Sequence, residues 1–226
     1  VLSLFCDRSN ILWIGTHLGQ GLNKLERNKI KFATIRRIPG NPNSINDDVV
    51  WSIYQDRKKT FWFGTYRGGI NIYDRANNKF SVLPTSQNAV TDYHNRSIAE
   101  DAYGNIWIGN YSGGLNRYNP VSKKFTHFKH DPSKPNTIGA NQIQAIHIDS
   151  QSVMWLATFG GGLTYASLLP DPDAEIVFHT LKNIPGDSTS ISDNRVYSLF
   201  AGSDGVLWVG TFGGGLQKFE KLSKKF

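Results

Sequence analysis

One sequence pattern recurs five times in the chain and restricts the folds that it can adopt. Each copy is an apolar run with one tryptophan, which ends in Gly-Thr or a close variant and restarts after a group of glycines. The tryptophans are Trp13, Trp62, Trp107, Trp155 and Trp208, with spacings of 49, 45, 48 and 53 residues. A period of about 45–50 residues that contains several short strands is typical of a β-propeller blade.

Two further residue types keep the register of this repeat. Six residues before the tryptophans stand Asp7, Asp56, Asp101, Asp149 and, in the last copy, Gly202. A phenylalanine follows the tryptophan at Phe32, Phe80, Phe125 and Phe226, and somewhat later at Phe178. The repeated aspartates could surround a metal ion. We favour a structural role, in which each carboxylate accepts hydrogen bonds from backbone N–H groups of a tight turn.

The pattern within one unit predicts four antiparallel strands. In the fifth unit, residues 196–200, 206–211 and 216–220 are expected to be strands, with a Gly- and Asp-containing hairpin turn at 202–205. Residues 124–128 are typical of the fourth strand. A four-stranded sheet of this kind needs neighbouring sheets to bury its faces. We therefore expect an all-β fold, a β-propeller of four-stranded antiparallel blades.

The repeats also define the expected organisation of the chain. We expect residues 1–226 to form a single β-propeller region. Its repeats are placed at about residues 1–49, 50–94, 95–142, 143–195 and 196–226, and the last blade is expected to be incomplete. Because the chain starts inside a repeat, we expect it to be a piece of a larger protein.

The composition limits the partners of the chain. A formal charge of +7 would suit a polyanion, but the lysines and arginines are spread through the repeats. The nearest approach to a cluster, Arg57-Lys58-Lys59, predicts a solvated turn, so we expect no nucleic-acid partner. The lone cysteine, Cys6, excludes an intrachain disulfide, and its apolar context predicts a buried thiol.

The sequence lacks the common motifs of catalysis. It has no G-x-S-x-G nucleophile motif, no H-E-x-x-H zinc motif and no phosphate-binding loop with a lysine. The glycine groups 160–162 and 213–215 recur with the repeat and predict turns between second and third strands. His127 and His130 lie close together without a further fixed ligand nearby. We expect no catalytic residue, no metal and no cofactor in this region.

Ligand binding is expected where the repeats differ. The tryptophans stand at the same place in every unit, which favours a role in the core between blades over a role as a sugar platform. Propeller topology brings the loops between second and third strands to the same face as the ends of the inter-unit connections. Aromatic, Arg, Asn and Gln side chains at that face suit a glycan. The candidates are His17, Trp51, Tyr66, Arg67, Tyr93, His94, Arg96, Tyr111, Gln142, Phe159, Asn194, Arg195, Tyr197 and Phe212.

The repeat resembles the two-component regulator propeller repeat, V-x-S-I-x-x-D-x-x-G-x-L-W-I-G-T-x-x-G-G-L-x-x-Y. Residues 50–73 follow this pattern almost position for position, and the resemblance covers all five units. Three departures are visible: Asn95 replaces the first apolar residue of the third unit, Ala157 replaces a glycine in the fourth, and Gln20 interrupts the glycines of the first.

The resemblance implies a place in bacterial signalling. Such repeats are found in the periplasmic sensor region of inner-membrane hybrid two-component system histidine kinases, and sometimes of diguanylate cyclases. It implies a propeller of about seven blades, of which five are visible here. It also implies a membrane-anchored parent protein able to form a homodimer, and a neutral or acidic oligosaccharide as the signal.

Three functions are compatible with these observations. The first is a non-catalytic propeller that senses an oligosaccharide and signals across the membrane. The second is a scaffold for protein interaction or dimerisation. The third is a propeller enzyme that acts on polysaccharide, a lyase or hydrolase, which would need a converging acid–base pair or a Tyr–His–Arg group at the channel mouth.

Overall fold

The regular structure of the described residues is entirely β. The structure is a computed structural model that describes residues 3–9, 11–16, 21–26, 32–84, 90–171, 173–202, 205–221, 223 and 225–226. Within these ranges no helix is long and apolar enough to cross a membrane.

The strands form five antiparallel sheets, numbered here as blades 1–5, in which each strand pairs with the next one along the chain. Blade 1 contains β1 (Ser3–Cys6), β2 (Ile11–Gly15), β3 (Leu22–Glu26) and β4 (Phe32–Ile35). Blade 2 contains β5 (Val50–Gln55), β6 (Phe61–Thr65), β7 (Ile70–Asp74) and β8 (Lys79–Val82). Blade 3 contains β9 (Asn95–Glu100), β10 (Ile106–Asn110), β11 (Leu115–Asn119) and β12 (Lys124–Phe128). Blade 4 contains β13 (Ile143–Ile148), β14 (Val153–Thr158), β15 (Gly162–Ser167) and β16 (His179–Leu181). Blade 5 contains β17 (Val196–Ala201), β18 (Val206–Thr211) and β19 (Leu216–Glu220).

The predicted all-β fold of four-stranded antiparallel propeller blades is confirmed. The strands predicted at 206–211, 216–220 and 124–128 have the observed bounds, and β17 is one residue longer than predicted. In blade 5 the described residues give three strands and an isolated bridge between Glu220 and Lys225. Part of the predicted turn at 202–205 lies outside the described residues.

The chain divides within β9 into two compact units, residues 1–98 and residues 99–226. Unit 1 has a core of aromatic side chains from blades 1 and 2. Trp13 on β2 packs against Phe61 on β6 with ring centroids 4.9 Å apart, and Tyr73 stacks on Phe80 at 4.6 Å. Because Trp13 and Phe61 come from different blades, the repeated tryptophan forms the contact surface between neighbouring blades.

Unit 2 repeats this arrangement. Trp155 on β14 packs edge-on against Phe219 on β19, with ring centroids 5.4 Å apart. In blade 3, Trp107 stacks on Phe128 at 5.6 Å, and Phe128 in turn meets Phe178. The late position of this phenylalanine in the fourth repeat therefore does not remove it from the core, since Phe178 is buried.

The repeated aspartates explain the six-residue spacing to tryptophan. The Oδ2 atoms of Asp7, Asp56, Asp101 and Asp149 accept hydrogen bonds from the indole Nε1 of Trp13, Trp62, Trp107 and Trp155 at 3.1, 2.9, 2.8 and 3.1 Å. The Oδ1 atom of the same carboxylate accepts the backbone N–H four residues along, as in Asn105 to Asp101 at 2.9 Å. One buried carboxylate thus closes the hairpin turn and orients the indole.

Two side chains depart from the sequence expectations. Cys6 is exposed, so the predicted buried thiol is wrong. Burial alternates along β1, and Cys6 shares its exposed face with Leu4, so the apolar character of the run did not decide burial. Trp208, whose repeat has Gly202 in place of the aspartate, is only partly buried, whereas the other four repeated tryptophans are buried.

Leu216 occupies a repeat position that is otherwise buried. Its equivalents, the apolar residues that follow the loop glycines, are Leu22, Ile70, Leu115 and Leu163, and all are fully buried. Leu216 itself is 68% exposed. Blade 5 therefore presents to solvent an apolar face of the kind that the other blades cover.

We expect Asp101→Ala to lower the free energy of unfolding by about 2–3 kcal/mol, because the Trp107 indole N–H and a turn N–H lose a charged acceptor. The reverse change, Gly202→Asp, supplies that acceptor to Trp208 and is expected to raise the free energy of unfolding by about 1 kcal/mol. Urea unfolding followed by circular dichroism measures both. The two variants should change the free energy of unfolding in opposite directions. An Asp101→Ala variant as stable as the wild type would contradict the structural role of the repeated aspartate.

A second pair of variants uses the same repeat position. Leu163→Ala is expected to cost about 3 kcal/mol of unfolding free energy, because it leaves a cavity in the core. Leu216→Ala is expected to change it by less than about 0.5 kcal/mol, because the side chain is exposed. If both variants lose the same unfolding free energy, the Leu216 side chain is covered in solution and not exposed.

Candidate functional site

Trp51 stands at a β-bulge at the start of β5. Val50 pairs with Thr65 and Ser52 pairs with Gly64, so Trp51 is the extra residue of β5 at this point of the register. The same irregularity occurs at Gln144 on β13 and at Tyr197 on β17. Bulges re-aim a side chain, and they are common next to binding sites. The bulged position is also where the repeats differ most in chemistry, and its equivalent in blade 3 is Arg96.

Four side chains of unit 1 meet at this bulge and form what we call the Trp51 cluster: Trp51, Tyr66, His94 and Arg96. The ring centroid of Trp51 lies 4.7 Å from that of Tyr66 and 6.0 Å from that of His94. Tyr66 and His94 meet edge to face at 4.7 Å. The Arg96 guanidinium lies 4.2 Å from the Trp51 ring centroid, a close cation–π contact.

The cluster is held by contacts beneath and beside it. His94 Nδ1 lies 2.8 Å from Oδ1 of the buried Asp92, which also accepts the His94 backbone N–H at 3.0 Å. The Tyr66 N–H donates to the Val49 carbonyl at 2.9 Å. Arg67 extends the surface, with its guanidinium 5.1 Å from the Tyr66 ring centroid. All four members of the cluster remain partly exposed, so a ligand can reach them.

In blades 2, 3 and 4, a backbone hydrogen bond links the loop between the second and third strands to the following blade. The last loop glycine donates its N–H to the next blade: Gly69 to Tyr93 at 3.3 Å, Gly114 to Asn141 at 3.0 Å and Gly162 to Asn194 at 2.8 Å. These glycines have φ values of 71°, 82° and 88°, in the left-handed region that other residues rarely adopt. The predicted turn role of the glycine groups therefore has a second part, since the same turn ties two blades together.

Unit 2 has a smaller group of the same kind, the Phe212 cluster: Phe159, Arg195 and Phe212. The ring centroids of Phe159 and Phe212 lie 5.7 Å apart, and the Arg195 guanidinium lies 5.3 Å from the Phe212 centroid. Asp193 holds Arg195 through both carboxylate oxygens. These hydrogen bonds lower the pKa of Asp193 and raise that of Arg195.

The other candidates are not part of either cluster. Tyr93, Tyr111 and Tyr197 are exposed. Gln142 and Asn194 give backbone carbonyls to the loop of Phe159, and Asn194 Oδ1 accepts the Asn183 N–H at 2.7 Å. That side chain is therefore committed to holding the connection. His17 lies outside the described residues.

Gln144 is a candidate that the sequence did not single out. Its residue is buried, and within the described part of the chain its Oε1 atom has no hydrogen-bond partner. A buried acceptor without a partner marks a place where a ligand or water donor fits. Aligning the bulged position through the repeats, Trp51, Arg96, Gln144 and Tyr197, would have identified it.

The cluster combines aromatic faces with cationic and neutral donors. Aromatic faces stack on the C–H faces of a sugar ring, and Arg96 can pair with a carboxylate or hydroxyl group. Tyr66, His94 and Arg96 also form the Tyr–His–Arg group that a polysaccharide lyase would need. Among the described residues, no three His, Cys, Asp or Glu side chains are placed to hold a metal ion.

The family comparison matches three separate parts of the chain. Residues 44–67, 90–112 and 190–213 match the model of the two component regulator propeller. Each of these three segments resembles a repeat of that family. The first two matched segments contain all four residues of the Trp51 cluster, and the third contains Arg195 and Phe212. No curated protein matches the chain significantly.

Solved structures share the fold of these propeller repeats. The extracellular domain assigned to the hybrid two-component system BT3049 of B. thetaiotaomicron aligns with a TM-score of 0.77 and 22% identity over 99% of this chain and 29% of its own. That of BT4673 aligns with a TM-score of 0.57 and 18% identity over 99% and 34%. Virginiamycin B lyase from Staphylococcus aureus aligns with a TM-score of 0.63 and 16% identity over 96% of this chain and 68% of its own.

These identities are all below 25%, so the likeness is one of fold. The chain spans about a third or less of the length of the two extracellular domains. Oligosaccharide binding, dimerisation and membrane anchorage of the parent remain predictions for these propeller repeats.

A titratable group lies at the far end of β13, away from the bulge. Lys221 Nζ donates to Asp149 Oδ2 at 3.0 Å, beside His147. Burial, and after it the charge of Lys221, lowers the pKa of His147, while Asp149 acts in the opposite direction. Burial alone would raise the pKa of Asp149, but hydrogen bonds from Trp155, Val153 and Lys221 bring it below its ordinary value.

The lowered pKa of His147 predicts that the free energy of unfolding depends on pH. Between the ordinary pKa of histidine and its lower value in the folded chain, the unfolded chain binds a proton that the folded chain does not. Stability should therefore fall as the pH drops below about 6.5. We expect His147→Gln to lose less unfolding free energy than the wild type between pH 7.5 and pH 5.5 in urea unfolding.

His179→Gln removes an exposed imidazole from the same blade and is the matched control for that measurement. Its loss between the two pH values should follow the wild type. If the wild type and His147→Gln lose the same unfolding free energy between the two pH values, His147 is not the source of the pH dependence.

Proposed function

We propose that this chain is part of the extracytoplasmic, non-catalytic sensing region of a bacterial two-component signalling protein. The Trp51 cluster is its ligand contact surface and an oligosaccharide is the ligand. Three findings support the proposal: the propeller repeats, the shared fold with extracellular domains of hybrid two-component systems, and the geometry of the cluster. The single observation that carries it is the convergence of Trp51, Tyr66, His94 and Arg96 at a bulge.

The charge of the cluster favours an acidic sugar. Arg96 lies over Trp51, and Arg67 lies beside Tyr66, so two guanidinium groups border the aromatic surface. A guanidinium binds a carboxylate through two parallel hydrogen bonds, which gives more discrimination than a single contact to a hydroxyl. A uronic acid stacked on Trp51 would place its carboxylate within the range of Arg96.

The signal would follow from differential binding. The loop that carries Tyr66 is bonded to its own blade through Val49 and to the next through Tyr93. A ligand that binds one arrangement of this loop better than another shifts the population of the two arrangements. The membrane helix and output domain of the parent protein would receive that shift.

An enzyme is the second candidate, because the Tyr–His–Arg group is present and a propeller lyase shares the fold. In a β-elimination on a uronate, Arg96 would neutralise the carboxylate. One of His94 and Tyr66 would take the proton from the carbon next to the carboxylate. The other would give a proton to the leaving sugar oxygen as its bond to the ring breaks and the double bond forms.

Calorimetric titration with a panel of neutral and uronic acid oligosaccharides tests the first proposal. We expect binding that Trp51→Ala weakens by about tenfold or more, since a stacked aromatic is lost. Arg96→Gln should weaken acidic ligands more than neutral ones. Tyr103→Ala is the control, because this exposed tyrosine belongs to unit 2 and is not a member of the cluster.

The same panel separates the two candidates. The ultraviolet absorbance of an unsaturated sugar, produced by the wild type and lost in His94→Gln, would establish the lyase and exclude the non-catalytic role. Lack of binding and of product across the whole panel would remove both.

A further inference from the structure

A cavity of about 720 Å³ lies in unit 1 at the opposite end of β5 from the Trp51 cluster. Its walls come from the hairpin turns of blades 1 and 2 and from the end of β7. We call it the basic cleft, after its four cationic side chains, Arg8, Lys58, Lys59 and Arg75. Gln55, which lines the cleft, lies four residues along β5 from Trp51, a distance of about 13 Å.

The charge of the cleft is strongly positive. Among the described residues that line it, Asp74 is the one carboxylate. That carboxylate accepts hydrogen bonds from the Asn77 side chain at 2.7 Å and the Ala76 N–H at 2.9 Å. Its negative charge is therefore directed into its own turn. Lys58 and Lys59 are exposed in the turn between β5 and β6, as the predicted solvated turn requires, and they line this cleft together with residues of the first repeat.

One of the cations is fixed in place. Arg75 Nη1 lies 3.2 Å from Oδ2 of the buried Asp7 and 3.5 Å from Ser9 Oγ. A guanidinium has five N–H donors, so this pair leaves Arg75 with further donors for a ligand. Lys59 has a φ of 66°, which is strained for a residue with a side chain and occurs within the tight turn between β5 and β6.

Unit 2 offers an internal comparison. A cavity of about 440 Å³ occupies the equivalent position between blades 4 and 5. There Lys221 pairs with Asp149 as Arg75 pairs with Asp7, so this ion pair belongs to the architecture of the repeat. The equivalents of Arg8 and Lys59 are Ser150 and Gly205. The fold therefore does not require the additional cations of the basic cleft.

We propose that the basic cleft binds the oxyanion of a soluble phosphate or sulfate monoester. A phosphate monoester carries close to two negative charges and a sulfate monoester carries one. Both have several acceptor oxygens, which match the lysine point charges and the guanidinium donors. Ser9 and Thr60 add hydroxyl donors to the lining. The proposal does not depend on the oligosaccharide site, since the two lie at opposite ends of β5.

Calorimetry with inorganic phosphate, inorganic sulfate and glucose 6-phosphate at constant ionic strength tests the proposal. We expect saturable binding that the double variant Arg8→Ser/Lys59→Gly weakens by about tenfold or more, since two charge-assisted contacts are lost. This variant installs the residues of the unit 2 cavity, and glycine relieves the strained φ at position 59, so the variant should fold.

Lys123→Gly/Lys124→Ser is the matched control. It removes the same charge, and Lys123 also has a positive φ, 58°, in a turn of unit 2. Unchanged binding in this control, with loss in the double variant, supports the proposal. Equal weakening in the double variant and the control would mean that the net charge alone attracts the ion, and would overturn the proposal. Binding by the double variant equal to that of the wild type would also overturn it.

A lipid surface is tested in a separate arm with phosphatidylcholine vesicles that contain phosphatidylglycerol. Binding to these vesicles without binding to the soluble esters would also overturn the proposal, because a membrane would then be the partner of the cleft.

Discussion

The hydrogen bonds of one buried carboxylate support most of this architecture. In four blades the repeated aspartate accepts a turn N–H with one oxygen and the indole N–H of the tryptophan with the other. The indole so oriented packs against an aromatic side chain of the following blade, as Trp13 does with Phe61 and Trp155 with Phe219. A short-range bond thereby fixes a contact surface between blades. Where the aspartate is replaced by Gly202, the tryptophan is less buried.

The proposed ligand contacts lie where this constraint is absent. The bulged residue is the extra residue of its strand, so its side chain can change without disturbing the strand pair. Trp, Arg, Gln and Tyr occupy it in successive blades. The same division holds at the other end of β5: the ion pair of Arg75 with Asp7 recurs in unit 2, whereas Arg8 and Lys59 do not.

Local patterns predicted the strands because strand period, turn residues and repeat spacing are properties of short segments. The bounds of β12, β18 and β19 followed from them. Contacts between blades are not in such segments. The contact of Trp51 with His94, and the place of Arg8 and Lys58 in one cavity, depend on side chains more than 40 residues apart. Cys6 and Gln144 show the same limit, since their burial depends on neighbouring elements and not on their own strand.

The glycine that ends each loop gives the aromatic residue before it an unusual mechanical position. Tyr66 is anchored to its own blade by the Val49 carbonyl, while Gly69, three residues later, is anchored to the next blade by the Tyr93 carbonyl. The short segment between these anchors therefore acts as a strut. A force that tilts Tyr66 acts on both blades, because the loop is bonded to each of them. A ligand that moves Tyr66 would therefore shift the two adjacent sheets past each other.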